Sequence, residues 1–151
     1  MSKDIIRTKF SRTGFAASVA VFLPYLFLFV PTRYSVFDEL ASNPKWLVVL
    51  HGFLSLFLVL TLILIKNMGA EPYSGKSRTI SIASIMLGVY YILWIYFYLL
   101  RANVWIYLCI KLLGATYFIA FSYDRKNWVS MALSITYFLT SLSITVVSLV
   151  L

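Results

Sequence analysis

The chain has 151 residues, 62% hydrophobic and only 12% charged, with a mean hydropathy of +0.90 and a formal net charge of +8. Soluble domains are about 45–50% apolar and about 25% charged, so this composition excludes an ordinary soluble domain and reads as a polytopic membrane protein. The basic excess is then read as positive-inside bias and attraction to anionic membrane lipid, and nucleic acid is not an expected partner.

Five apolar segments stand out, at about 14–31, 46–65, 79–100, 104–122 and 128–151. Each has about the 17–25 residues needed to cross a hydrocarbon layer about 30 Å thick. The predicted fold is an all-α integral membrane protein, one domain over 1–151 built as a compact bundle of five transmembrane helices.

The first segment follows Lys3, Arg7, Lys9 and Arg12 and has no small-x-small cleavage site before "PTRY", so it reads as a retained anchor. Pro24 should kink this helix and free a carbonyl near Ala20, with Tyr25 beside the break. Ala16 and Ala20 form a small-xxx-small seam. Before the second segment, "SNPKW" offers Ser42 or Asn43 as a cap and puts Pro44 in the first helical turn. His51, the single histidine, lies about 8 Å inside that helix at 1.5 Å per residue.

The third segment carries a second small seam, Ser84 and Gly88, and then Tyr90, Tyr91 and Trp94. Arg101, Ala102 and Asn103 alone separate it from the fourth, which predicts a tight helical hairpin. Trp46, Trp94, Trp105 and Trp128 all fall toward segment ends, as an interfacial aromatic belt requires. The fourth segment, "VWIYLCIKLLGATYFIAF", holds Lys111 about 10 Å from its start. An intramembrane lysine costs about 2.5–3.5 kcal/mol on insertion scales, and no Asp or Glu lies in any long apolar run to offset it. Two readings follow. The stem can snorkel toward the nearer boundary. Alternatively Gly114 and Ala115, one turn away on the same face, with Tyr107 above, mark a helix contact and turn Lys111 into the bundle.

The fifth segment has the clearest pattern. Ser130, Ser134, Tyr137, Ser141, Thr145 and Ser148 recur in steps of three and four, a stripe less than about 90° wide. Such stripes glue helices together or line a cavity.

Sidedness follows from Lys and Arg. Nine lie before the first segment, between the second and third (Lys66, Lys76, Arg78), and between the fourth and fifth (Arg125, Lys126). Three (Arg33, Lys45, Arg101) lie on the opposite side. The N-terminus is therefore expected in the cytoplasm and the C-terminus outside. A compact chain with a short basic N-terminus fits the bacterial cytoplasmic membrane.

Chemistry is sparse. There is no HExxH, no Walker loop and no GxSxG in a suitable context. Cys109 is the only cysteine, and His51 with Cys109 is too small a set for a metal site. No cofactor is expected. The five acidic residues all lie in loops or tails, which weighs against a cation-coupled transporter. Two functions remain. One is a non-catalytic partner in the membrane, accessory, regulatory or immunity-type, acting on a protein partner or as a homo-oligomer. The other is a transporter, channel or lipid-binding protein for an anionic or amphipathic ligand, in a cavity around Lys111 lined by His51, Tyr25, Tyr91, Trp94, Tyr107 and Thr145.

Overall fold

The computed structural model describes residues 7–8, 10–25, 43–67, 78–99 and 103–150. The described chain is helical: α1 (Arg12–Phe22), α2 (Lys45–Leu64), α3 (Arg78–Leu99), α4 (Val104–Asp124) and α5 (Trp128–Val150). Four of these, α2 to α5, are long and apolar enough to cross a membrane. They match the predicted second to fifth segments to within two residues, because the apolar run that spans hydrocarbon also sets helix length. α1 has 11 residues, and the predicted continuation of its span over 26–31 lies outside the described residues. One feature has no counterpart in the sequence reading. Arg7–Thr8 (β1) pairs antiparallel with Ile65–Asn67 (β2), and the Ser11 N–H donates to the Ile63 carbonyl at 2.7 Å. The approach to α1 is thereby fixed to the end of α2.

α4 packs between α3 and α5, and α5 packs in turn on α2. The order α3–α4–α5–α2 makes an arc, and α1 fills its concave side. α1 starts against α2, and its far end meets α4 and α5 through Phe22, whose ring centroid is 5.7 Å from Phe118 and 6.4 Å from Tyr137. α4 is central: Tyr107, Ile110, Gly114, Phe118 and Phe121 are all buried along it.

The helix ends are set by local chemistry. Ser11 Oγ accepts from the Gly14 N–H at 3.0 Å and starts α1. Asn103 Oδ1 accepts from Ile106 N–H and starts α4. Asn127 Oδ1 accepts from Ser130 N–H and does the same for α5. The turn before it needs a left-handed residue, supplied by Lys126 at φ 52°.

Two expectations need correction. Pro44 itself occupies the cap position of α2, and Asn43 does not cap it. Instead the buried Asn43 amide crosses to α5 and donates to the Ile144 carbonyl at 2.9 Å. Ser42 lies outside the described residues. Trp46, Trp105 and Trp128 are exposed, but Trp94 is only 2% exposed and belongs to the core rather than a belt. Its rings of contact are Tyr98, stacked at 5.1 Å, with Tyr25, Phe97 and Tyr107 edge-on. Ser84 and Gly88 are both exposed, and among the described residues no atom lies within 4 Å of where a Gly88 side chain would begin. Ala16 likewise faces outward.

Candidate functional site

The polar stripe of α5 is turned inward. Ser130, Ser134, Ser141 and Thr145 are buried, and Tyr137 and Ser148 are half-buried. Three of its hydroxyls donate to their own helix: Ser134 to the Ser130 carbonyl at 2.7 Å, Thr145 to the Ser141 carbonyl at 3.4 Å and Ser148 to the Thr145 carbonyl at 2.8 Å. Back-bonding of this kind hides a hydroxyl in an apolar setting and keeps the surface thin, so neighbouring helices approach closely. Ser130 also reaches across to Thr61 Oγ1 of α2 at 2.9 Å, and Thr145 Oγ1 accepts across from α4.

Lys111 is half-buried on α4 and points across to α5. Its ammonium donates to Thr145 Oγ1 at 2.5 Å and, at a weaker 3.4 Å, to the Ser141 carbonyl. It also stands 4.4 Å from the centroid of the Tyr107 ring, in cation–π range. Gly114, one turn on, lets α3 and α1 approach α4 closely. A side chain there would begin 3.3 Å from both the Tyr90 ring and Val21 Cγ1.

His51 approaches α5 from the other side. Its ring stacks on Tyr137 at 4.6 Å, and Nδ1 lies 3.1 Å from Thr140 Oγ1. Thr140 already donates its proton to the Tyr137 carbonyl at 2.9 Å. Its remaining capacity is as an acceptor, so His51 Nδ1 carries the hydrogen.

A second cluster gathers where α1 ends. Pro24 has no N–H, so the Ala20 carbonyl loses its helical partner. Tyr91 donates to that carbonyl at 2.6 Å. Tyr90 donates to the Val21 carbonyl and Tyr98 to the Pro24 carbonyl, the latter at 3.0 Å. Three hydroxyls of α3 thus satisfy the break in α1. Beside them runs a groove of about 380 Å³, lined by Leu23 and Pro24 on one wall and Tyr91, Trp94, Ile95, Tyr98 and Leu99 on the other.

The structure therefore divides the predicted ligand set. Lys111, Tyr107 and Thr145 meet, and Tyr91 and Trp94 meet with Tyr25 close by, its ring 5.0 Å from Trp94. Tyr107 joins the two groups through Trp94, at 6.1 Å. His51 meets α5 at Tyr137 and Thr140, within electrostatic reach of Lys111. The groove is not around Lys111, which is absent from its lining. Comparison with family models, characterised proteins and solved structures finds no match. The reading of this chain rests on its own geometry.

The sequence reading counts Arg125 only as a loop charge, yet it is 1% exposed. Its guanidinium closes the end of α2, with Nη1 donating to the Leu62 carbonyl at 3.0 Å and Nη2 to the Ile65 carbonyl at 2.6 Å. Phe121 lies 5.2 Å beneath it. The buried Asn127 amide adds bonds to the Thr61 and Ile65 carbonyls, both at 3.3 Å. A cation there meets the negative end of the α2 dipole. The short "DRKNW" turn is the one signal in the sequence, since it forces Arg125 and Asn127 to the same end of the bundle.

Magnitudes decide what Lys111 contributes to stability. Interhelical hydrogen bonds in membranes average about 0.6 kcal/mol, with a maximum near 1.7. Removing a charge from the apolar region gains about 2.5–3.5 kcal/mol on insertion scales. Lys111→Met should therefore fold as well as the parent or better, read as folded yield and as resistance to unfolding in SDS. Lys111→Glu should fold poorly, since Tyr107 presents its ring face and Ser141 a carbonyl to the new charge. Lower folded yield of the Met variant would show that the ammonium contributes more than a lipid-phase hydrogen bond can.

Proposed function

We propose that the protein is a non-catalytic membrane component that acts by docking with another protein inside the bilayer, as an accessory, regulatory or immunity-type partner. The observation that carries this is the outward seam of α3. Ser84 and Gly88 stand one turn apart on an exposed face, with open space above Gly88. Small residues at this spacing let two helix backbones meet closely. The inward polar groups support the same reading: Lys111 and His51 have partners on α5.

The proposal includes five spans in the bacterial cytoplasmic membrane, with the N-terminus in the cytoplasm and the C-terminus outside, on the nine-to-three division of basic residues. It is tested by purification in a mild detergent followed by mass measurement of the intact assembly. The parent should carry a second protein. Gly88→Leu should lose it while keeping its own helix content, because none of the described residues lies within 4 Å of that site. A parent that runs alone, or an assembly indifferent to Gly88→Leu, would overturn the reading.

A further inference from the structure

We propose that the groove at the α1 break is a built seat for one lipid acyl chain. It lies on the face of α3 that carries Ile92, Ile95 and Leu99, and its rim residues Ile95 and Leu99 are 57% and 77% exposed. In a chain whose α3 is long and apolar enough to span a membrane, that face meets hydrocarbon, so the groove opens sideways to lipid tails rather than to water. Its polar lining is thin: the hydroxyls of Tyr91 and Tyr98 already donate to the Ala20 and Pro24 carbonyls, which leaves Trp94 Nε1 as the donor not yet used.

The walls are also stiff, which separates a seat from ordinary contact with surrounding lipid. Pro24 fixes one wall through its ring. Trp94 forms the other, 2% exposed and held by Tyr98 stacked at 5.1 Å and by Phe97 edge-on at 5.6 Å. Such a wall keeps its shape when empty, so a flexible chain entering it does not have to order the protein as well. The volume of about 380 Å³ falls at the lower end of the range of about 300–1,000 Å³ for small-molecule sites. The Gly88 seam lies on the same face of α3, two turns before Ile95, so the docking proposal and the acyl-chain seat concern adjacent stretches of that face.

Trp94 reports the occupant directly. The chain has four tryptophans, and Trp46→Phe, Trp105→Phe and Trp128→Phe together leave Trp94 alone. This protein would be placed in vesicles of phosphatidylcholine brominated on its acyl chains, with unbrominated vesicles as reference. Bromine against the indole quenches it, so Trp94 should lose emission although it is buried in the bundle. Leu23→Phe, which fills the groove, should restore the emission. Leu23→Ala, which widens it, should keep the loss, and helix content measured on all three proteins separates filling from misfolding. Trp94 emission that is equal in both kinds of vesicle would sink the proposal, as would quenching that Leu23→Phe leaves unchanged. Occupation by protein instead of lipid gives the first of these results.

Discussion

Arg125→Met should lower the stability of the folded bundle by on the order of 3 kcal/mol, read as an earlier unfolding midpoint in SDS. A hydrogen bond to a charged group contributes about 1.5–3 kcal/mol, and Arg125 makes two, to the Leu62 and Ile65 carbonyls. Its position at the C-terminal end of α2 adds about 0.3–1 kcal/mol through the helix dipole. Relief from burying the guanidinium offsets part of this, and the two carbonyls left without that donor dominate the balance. Arg125→Lys should fall between parent and Met variant, because one ammonium keeps the charge but cannot fork to two carbonyls. An unchanged midpoint for the Met variant would return Arg125 to the role of a topology charge only.

Gly14→Ala should be at least as damaging, from the opposite cause. A side chain at Gly14 would begin inside the space of the Leu62 carbonyl and 2.8 Å from Arg125 Nη1. The obstacle is backbone, so α1 must move off α2. Overpacking a tight core costs about 1–3 kcal/mol, and a backbone clash belongs at the upper end of that range. Gly52→Ala and Gly88→Ala are the controls. Nothing lies within 4 Å of either position, and each replaces a poor helix former by the best one, a gain of up to about 1 kcal/mol. Combining Gly14→Ala with Arg125→Met should cost less than the two effects added, since both act on the Leu62 carbonyl. Strict additivity in that pair would mean that the two residues do not share a contact.

The helices that carry this arrangement are legible in the sequence, and their facing is not. α2 to α5 end where the apolar runs end, and the break at Pro24 follows from a missing N–H. Facing is a different matter. These helices are apolar nearly all round, so there is no polar flank to mark the outside. That is why the small pair Ser84 and Gly88 does not reveal beforehand whether it meets a helix of this chain or a partner, and why Trp94 reads as a belt residue yet lies in the core. Where small polar groups break the uniformity, as in the stripe from Ser130 to Ser148, the inward side can be named. Lys111 is an intermediate case. Gly114 and Ala115 mark its face, but nothing local points to Thr145, 34 residues later. The same gap hides the tyrosines. The sequence shows that Ala20 loses a donor and that Tyr91 has one to give, while the 71 residues between them keep the pair from being matched.

The break in α1 also bears on how the protein is made. Synthesis delivers α1 ahead of α2, and α2 ahead of α3. Neither α1 nor α2 supplies a hydroxyl to the Ala20, Val21 or Pro24 carbonyls, whose donors are Tyr91, Tyr90 and Tyr98 of α3. Bare carbonyls are expensive in hydrocarbon, so the α1 end has to stay hydrated, or sheltered by the insertion machinery, until α3 arrives. Arg125, which stands against Gly14 near the other end of α1, is translated later still. α1 therefore completes its contacts only after α3 and the α4–α5 turn have been made.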